Sequence, residues 1–303
     1  MNQKVIAIVG PTGSHKSHIA IDLIKKIAQP AELISVDAFQ VYKALNVGVN
    51  KPDVSMLNEV KHHFVSCLEL NDEWNINVFQ KQAKALIDHL FNQNILPVLC
   101  GGSHLYVDAL IRNFNLNKAQ KRFINLDGKL SSEQLYDQLM QLDYDEAIKI
   151  GKNNPRRLAR AIEICLQTGK KKSELDQDVK HAYETLHIVC YRKNRAELYE
   201  KLDARTTKMF ANGWIDEIKG LMEQYPNFLS LQAAKAIGYY YLGQQLTRHD
   251  AFDLEYLKKI IRNLAKRQLT WCKSRYKNNA IWFDYTKDSF DQLLDDVITF
   301  LNN

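Results

Sequence analysis

The chain has 303 residues and a formal net charge of +6, with 46% hydrophobic and 25% charged residues. This balance is typical of a soluble globular protein that can bury a sizeable core. No apolar run reaches the roughly 18 residues that a membrane span needs, so the sequence excludes a membrane-spanning protein.

The N-terminal segment and the cysteine pattern both predict a cytoplasmic protein. The N-terminus runs directly into an apolar segment at residue 4, so no signal peptide is evident. The cysteines are scattered without a C-x-x-C pair, which predicts reduced, buried thiols rather than zinc sites or disulfides. They are Cys67, Cys100, Cys165, Cys190 and Cys272.

Strand-like apolar runs alternate with helical patterns, and this alternation predicts an α/β fold with a parallel sheet. The predicted strands are 4–9, 32–36, 96–99, 186–191 and 280–283. Three of these strands end in polar or glycine-rich turns, and ligands bind at such carboxyl ends.

The segment 113–153 has no convincing strand and predicts a small helical insertion, with a helix starting at Ser131. The core would then consist of 1–112 and 154–303. We expect its last third to be helical to residue 277, with one more helix after Asp288.

The first glycine-rich turn is nearly a phosphate-binding loop of the form G-x-x-x-x-G-K-[ST] between a strand and a helix. Its backbone N–H groups would cradle an anion, Lys16 would add a point charge, and Ser17 would offer a hydroxyl to Mg²⁺. His15 stands where the motif has a glycine. The loop is Gly10, Pro11, Thr12, Gly13, Ser14, His15, Lys16 and Ser17.

Two further turns carry polar groups. Asp37, just past the second strand, is placed to bind a metal through water or to act as a general base, or simply to cap a helix. The turn Gly101-Gly102-Ser103 offers backbone donors and a hydroxyl, or is a plain tight turn.

Basic residues cluster in three groups, within 258–277, 149–160 and 170–172. Each group alone is readily explained as a solvated helix face. Together with a phosphate loop they favour a polyanionic partner.

The ordered set of motifs resembles the tRNA dimethylallyltransferase family over almost the whole chain. The matching blocks are Gly10-Pro11-Thr12, Lys16-Ser17, Glu32-Leu33-Ile34-Ser35-Val36-Asp37, Gln40-Val41-Tyr42, Gly48, Lys51-Pro52, Pro97, Gly101-Gly102-Ser103, Leu105-Tyr106, Asn153, Pro155-Arg156-Arg157, Arg160-Ala161, Glu163, Thr168-Gly169-Lys170, Ala236-Ile237-Gly238-Tyr239 and Ala265-Lys266-Arg267-Gln268-Leu269-Thr270-Trp271.

The resemblance implies a P-loop NTPase-like sheet whose loop binds the pyrophosphate of dimethylallyl diphosphate. The leaving pyrophosphate would be stabilised by Lys16, by Ser17 with Mg²⁺, by Ser103 and by either Arg262 or Arg267. Asp37 stands where the family carries its proposed general base.

The resemblance also implies a tRNA anticodon stem-loop as partner and a monomeric protein. The target adenine would be extruded into a channel, where it could stack on an aromatic ring. The insertion would grip the same stem-loop. Residues expected to contact tRNA are Asp37, Gln40, Tyr42, Arg156, Arg160, Gly238, Tyr239, Lys266 and Arg267.

Several positions depart from the family pattern: His15, Ala38, Val49-Asn50, Asn154 and Lys235. An active transferase with a remodelled loop is favoured, since five residues of the expected site are kept: Lys16, Ser17, Asp37, Ser103 and Arg262. The alternatives are a non-catalytic tRNA-binding relative, which the departures favour, and a P-loop phosphotransferase acting on a small molecule. An adenylate isopentenyltransferase is a near neighbour of the first class.

Overall fold

A computed structural model of the protein describes residues 3–114, 116, 130–175 and 181–303. Its centre is a six-stranded parallel sheet in the order β3-β2-β4-β1-β5-β6. The strands are β1 (Lys4–Val9), β2 (Ala31–Ser35), β3 (His62–His63), β4 (Leu96–Gly101), β5 (Glu184–Cys190) and β6 (Ile281–Phe283). The predicted α/β class and its five strands are confirmed, and β3 is an additional edge strand.

β1 lies in the middle of the sheet because it is apolar on both faces. Its residues from Val5 to Val9 are at most 1% exposed, as expected for a strand covered by helices on both sides. Val9 lies beside Gly101 of β4 and Val189 of β5. The three strands therefore end together, and the turns that follow them share one edge of the sheet.

The chain divides into two compact units, one formed by 1–107 and 183–303 and the other by 108–182. The first unit contains the sheet. Its helices before the second unit are α1 (Lys16–Lys26), α2 (Val54–Glu59), α3 (Ile76–Asn92) and the start of α4 (His104–Ile111). The next four helices of the described chain belong to the second unit. The first unit continues with α9 (Arg195–Ala211), α10 (Trp214–Gln224), α11 (Tyr239–Arg248), α12 (Leu254–Arg275) and α13 (Phe290–Asn302).

One hydrophobic cluster joins α1 and α13 to the sheet through residues such as Ile19, Leu23 and Val297. The helical last third and the final helix were predicted correctly. None of the helices in the described part of the chain is long and apolar enough to cross a membrane.

The second unit is a small helical cluster made of α5 (Ser132–Leu142), α6 (Tyr144–Ile150), α7 (Pro155–Thr168) and α8 (Lys172–Leu175). Ser131 and Gln134 form the capping box that the sequence predicts at the start of α5. Leu135 and Leu139 pack against Leu158 of α7. The unit therefore extends beyond the predicted boundary at 153, because α7 supplies five of the eight buried residues in its core. Residues 115 and 117–129 of the predicted insertion lie outside the described residues.

Candidate active site

The turn between β1 and α1 has the backbone geometry of a phosphate-binding loop. Gly10 and Gly13 have φ of 155° and 84°, and His15 adopts the left-handed conformation with φ 60° and ψ 14° just before α1 begins at Lys16. A Cβ on Gly10 would lie 2.1 Å from the carbonyl oxygen of Cys190. Gly10 therefore lets the loop pass close to the end of β5.

Lys16 lies at the base of this loop. Its Nζ donates to the carbonyl of Pro11 at 3.3 Å. Burial lowers the pKa of Lys16, and the nearby carboxylate of Asp37 opposes that shift. Burial also raises the pKa of the neighbouring Cys100 thiol to about 11, and Ser17 forms a hydrogen bond with that thiol. The thiol is thus neutral at physiological pH and adds no negative charge beneath the loop.

A cavity of about 500 Å³ opens over the loop and lies wholly within the first unit. Thr12, Gly13, His15, Lys16 and Ser17 line it, whereas Gly10, Pro11 and Ser14 of the predicted loop do not. Six basic side chains reach the cavity: Lys16, Lys51, Lys201, Arg205, Lys235 and Arg267. Asp37 is the one acidic side chain among the described residues that line it.

This charge balance fits an anionic ligand with a single general base. An apolar part of the same wall fits a hydrocarbon group. It is formed by Leu33, Phe39, Met56, Met209, Ile237, Ile261 and Leu264.

Asp37 both shapes its turn and faces the cavity. Its carboxylate accepts the N–H groups of Phe39 at 2.8 Å and Gln40 at 3.1 Å. Gln40 also lines the cavity, and its amide donates to the carbonyls of Val49 and Asn50. The expected helix cap is corrected, because Asp37 caps a turn and no helix begins there. Its carboxylate also lines the cavity, so the chemical interpretation stays open.

Arg205 is a cavity residue that the sequence analysis missed. It donates to the hydroxyl of Thr12 at 2.7 Å, and its buried Nε has no hydrogen-bond partner within the described structure. Burial lowers its pKa to about 10, so the guanidinium stays charged at neutral pH. The available signal was its spacing from Lys201, because residues four apart share one face of a helix.

Gln268 is a second missed residue, although it lies in a matching block of the sequence. Its Oε1 accepts the Thr12 N–H at 2.8 Å, and its Nε2 donates to the Gly102 carbonyl at 3.0 Å. One side chain of α12 thus joins the phosphate loop to the turn after β4. The Gly101-Gly102-Ser103 turn therefore contributes to the site through its backbone.

Three residues expected to contact tRNA lie in the protein core instead. Tyr42 and Tyr239 are 0% exposed, and neither they nor Gly238 line the cavity. The Tyr239 hydroxyl accepts the Gly48 N–H and donates to Glu217. The two tyrosine rings therefore present no exposed face to an incoming adenine. The expectation that they line the adenine channel is corrected, because both rings are packed in the protein core.

Two other predicted residues lie beside the cavity and do not line it. Ser103 is half-buried in the turn before α4, and its N–H donates to the Val36 carbonyl at 3.3 Å. Arg262 forms an ion pair with Asp203 of α9. Of the two candidate arginines, Arg267 is the one that reaches the cavity.

The remaining predicted tRNA contacts lie on helix surfaces. Lys266 is exposed on α12, next to Arg267. In the second unit, Arg156 is exposed at the start of α7, and Arg160 pairs with Glu163 at 3.0 Å. Their positions on the surface are compatible with phosphate contacts and with solvated helix faces alike.

Comparison with known proteins gives one consistent result. A family model described as IPP transferase matches residues 40–275. A protein named tRNA dimethylallyltransferase from Malacoplasma penetrans is 37% identical over 100% of this chain and 99% of its own length. The full-length tRNA isopentenylpyrophosphate transferase of Bacillus halodurans has a similar structure, with a TM-score of 0.71, 30% identity and coverage of 99% of this chain and 96% of its own.

A eukaryotic dimethylallyltransferase described as acting on tRNA also matches, with a TM-score of 0.80 and 26% identity. That match covers 98% of this chain and 79% of the other.

Proposed function

Because the chain belongs to the IPP transferase family, we propose that it transfers the dimethylallyl group of dimethylallyl diphosphate to N6 of an adenosine beside the anticodon of tRNA. The observation that carries this proposal is the cavity, which combines six basic side chains, one carboxylate and an apolar wall. These are the groups needed for a diphosphate, a proton acceptor and a prenyl chain. The non-catalytic and phosphotransferase alternatives have no comparable support.

In this reaction the C1–O bond of the substrate breaks, and the pyrophosphate leaves with the bonding electrons. Negative charge therefore grows on the pyrophosphate as the bond breaks. We assign its stabilisation to the loop N–H groups and to Lys16, Arg205 and Arg267. Fixed cations in a partly dehydrated cavity stabilise such charge more strongly than water does.

The adenine N6 forms the new bond to C1 and loses a proton. We assign this proton to Asp37, because it is the one carboxylate among the described residues that line the cavity. Its two backbone N–H donors fix the orientation of the carboxylate. An N6 atom must come within hydrogen-bond distance of it, so the adenosine has to leave the anticodon stack.

Mg²⁺ is the metal that the family resemblance implies. No group of three or more His, Cys, Asp or Glu side chains in the described ranges is arranged to hold a metal ion. Mg²⁺ commonly keeps several waters and binds through few protein oxygens together with substrate phosphates. The Ser17 hydroxyl would hold it, with Asp37 contacting it through water, and the ion would neutralise phosphate charge.

We further propose that the exposed basic residues bind the anticodon stem-loop. Arg267 of α12 lines the cavity and Lys266 beside it in the sequence is exposed, whereas Arg156 and Arg160 belong to the second unit. Phosphate contacts of this kind give affinity that falls with salt and carry little sequence information. We expect a monomer in the cytoplasm.

Asp37→Asn tests the assignment of the base. An asparagine oxygen can still accept the two N–H groups of the turn but cannot take a proton at neutral pH. We expect transfer to fall by about 10²- to 10⁴-fold, with tRNA affinity nearly unchanged. Asp22→Asn, on the exposed side of α1, is the matched control and should transfer normally. If Asp37→Asn kept its turnover, Asp37 would not be the base.

A further inference from the structure

His15 occupies the loop position where the motif has a glycine, and its side chain has a defined contact. The imidazole lies against the ring of Tyr285, with ring centroids 4.1 Å apart and an interplanar angle of 50°. The ring of His18 is farther away, at 5.3 Å. The left-handed backbone of His15 therefore directs its ring onto the segment that follows β6.

Tyr285 is itself held in place from several sides. Its hydroxyl accepts hydrogen bonds from Arg192 and, at 3.3 Å, from Lys201, and the Arg192 guanidinium lies 4.8 Å from the ring centroid. The preceding residue, Asp284, is buried and accepts the N–H groups of Lys193 and Thr286. The ring that meets His15 is thus a fixed surface.

The same tyrosine also contacts the wall of the cavity. Lys201, which bonds to the Tyr285 hydroxyl, lines the cavity with Arg205, one turn along α9. His15 itself immediately precedes Lys16 and lines the cavity. Tyr285 therefore touches both the phosphate loop and one of the cations that face it.

We propose that His15 and Tyr285 form a positioning pair, in which ring packing fixes the phosphate loop in its anion-binding conformation before the diphosphate arrives. This inference rests on the proposed function. A glycine at position 15 would adopt the same backbone conformation without strain, but it would leave the loop freer to move. The histidine restricts that freedom, and a preorganised site binds its ligand with a smaller ordering cost.

The test compares His15→Gly, Tyr285→Leu and the double variant in binding inorganic pyrophosphate and in KM and kcat for dimethylallyl diphosphate. An aromatic pair of this type corresponds to an effect of about fivefold. We expect each single variant to weaken pyrophosphate binding and raise KM by about that factor, with a smaller change in kcat. The double variant should be no worse than the poorer single variant.

Two controls separate this role from a general loss of structure. His89→Ala removes an exposed imidazole on α3 that does not line the cavity, and this variant should bind pyrophosphate normally. Tyr285→Phe keeps the ring, loses the hydroxyl contacts and should keep most of the affinity. Thermal unfolding of every variant should show a folded protein.

Three results would overturn the pair. One is pyrophosphate binding by His15→Gly that is as tight as in the unaltered protein. Another is single effects that multiply in the double variant. The third is a KM that depends on the protonation of His15, which would make His15 a direct ligand. His15 also lines a second cleft together with His18, Asp22 and Asp288, and each of these three would be replaced in turn to assign the titrating group. If the unaltered protein bound no pyrophosphate, the proposed function would fail together with the pair.

Discussion

Gln268 joins the phosphate loop to the turn after β4, so replacing it tests whether the two turns act as one site. Gln268→Met removes both hydrogen bonds while keeping a side chain of similar length. Gln268→Glu keeps the acceptor for the Thr12 N–H but places a carboxylate oxygen against the Gly102 carbonyl. Both atoms would then be acceptors, and the two turns would be pushed apart.

The size of the effect follows from the two contacts, at 2.8 Å and 3.0 Å. A typical hydrogen bond contributes about 0.5–1.5 kcal/mol, so losing both lowers the free energy of unfolding by about 1–3 kcal/mol. If about half of this free energy is lost from binding through misplacement of the loop, KM for dimethylallyl diphosphate rises about two- to tenfold. We expect Gln268→Glu to be the more damaging variant, because it adds repulsion to the lost bond.

Urea unfolding and steady-state kinetics with saturating tRNA measure these two quantities. Thr270→Ala is the matched control, because the Thr270 hydroxyl bonds to the Lys266 carbonyl within α12 and the residue is exposed. It should leave KM unchanged. A Gln268→Met protein with the KM of the unaltered chain would refute the idea that Gln268 joins the two turns into one site, whatever the stability of that variant.

Three further changes probe other parts of the account. Gly238→Ala should lower the free energy of urea unfolding by about 1–3 kcal/mol, since its Cβ would lie 2.4 Å from the Trp214 ring at a φ of 87°. The control Gly220→Ala has open space around the added Cβ and should be neutral or stabilising. A Gly238→Ala protein as stable as the unaltered chain would contradict this packing. Lys51 has its pKa lowered by burial to about 8. Between that value and the higher pKa of the unfolded chain, only the unfolded chain keeps the proton. The free energy of unfolding should therefore rise with pH in this range when it is compared with that of Lys51→Met. A difference between the two proteins that did not change with pH would contradict the lowered pKa of Lys51. Lys266→Ala should reduce the salt dependence of tRNA binding by about one unit of slope, and an unaltered slope would place this lysine outside the interface.

The sequence predicts features that depend on neighbouring residues. The five strands follow from short apolar runs, and the loop before Lys16 follows from its glycines and flanking elements. The capping box at Ser131 is likewise encoded within four residues. β3 was missed because two residues at a sheet edge carry no pattern of their own.

Features that depend on distant residues were not predicted. Arg205 reaches Thr12 across 193 positions, and Gln268 reaches it across 256. Nothing near Tyr239 in the sequence indicates that its hydroxyl meets Gly48, so an aromatic residue in a matching motif was placed in the channel. In the fold its hydroxyl accepts the Gly48 N–H and donates to Glu217, which in turn accepts the N–H groups of Asn46 and Val47.

The most direct measurement is nucleoside mass spectrometry of unmodified tRNA after incubation with the protein, dimethylallyl diphosphate and Mg²⁺. We expect the adenosine beside the anticodon to carry one dimethylallyl group, with one pyrophosphate released for each nucleoside modified. Unmodified tRNA at every protein concentration, with tRNA binding intact, would contradict the account. So would transfer of phosphate from ATP to a small molecule without any prenylation.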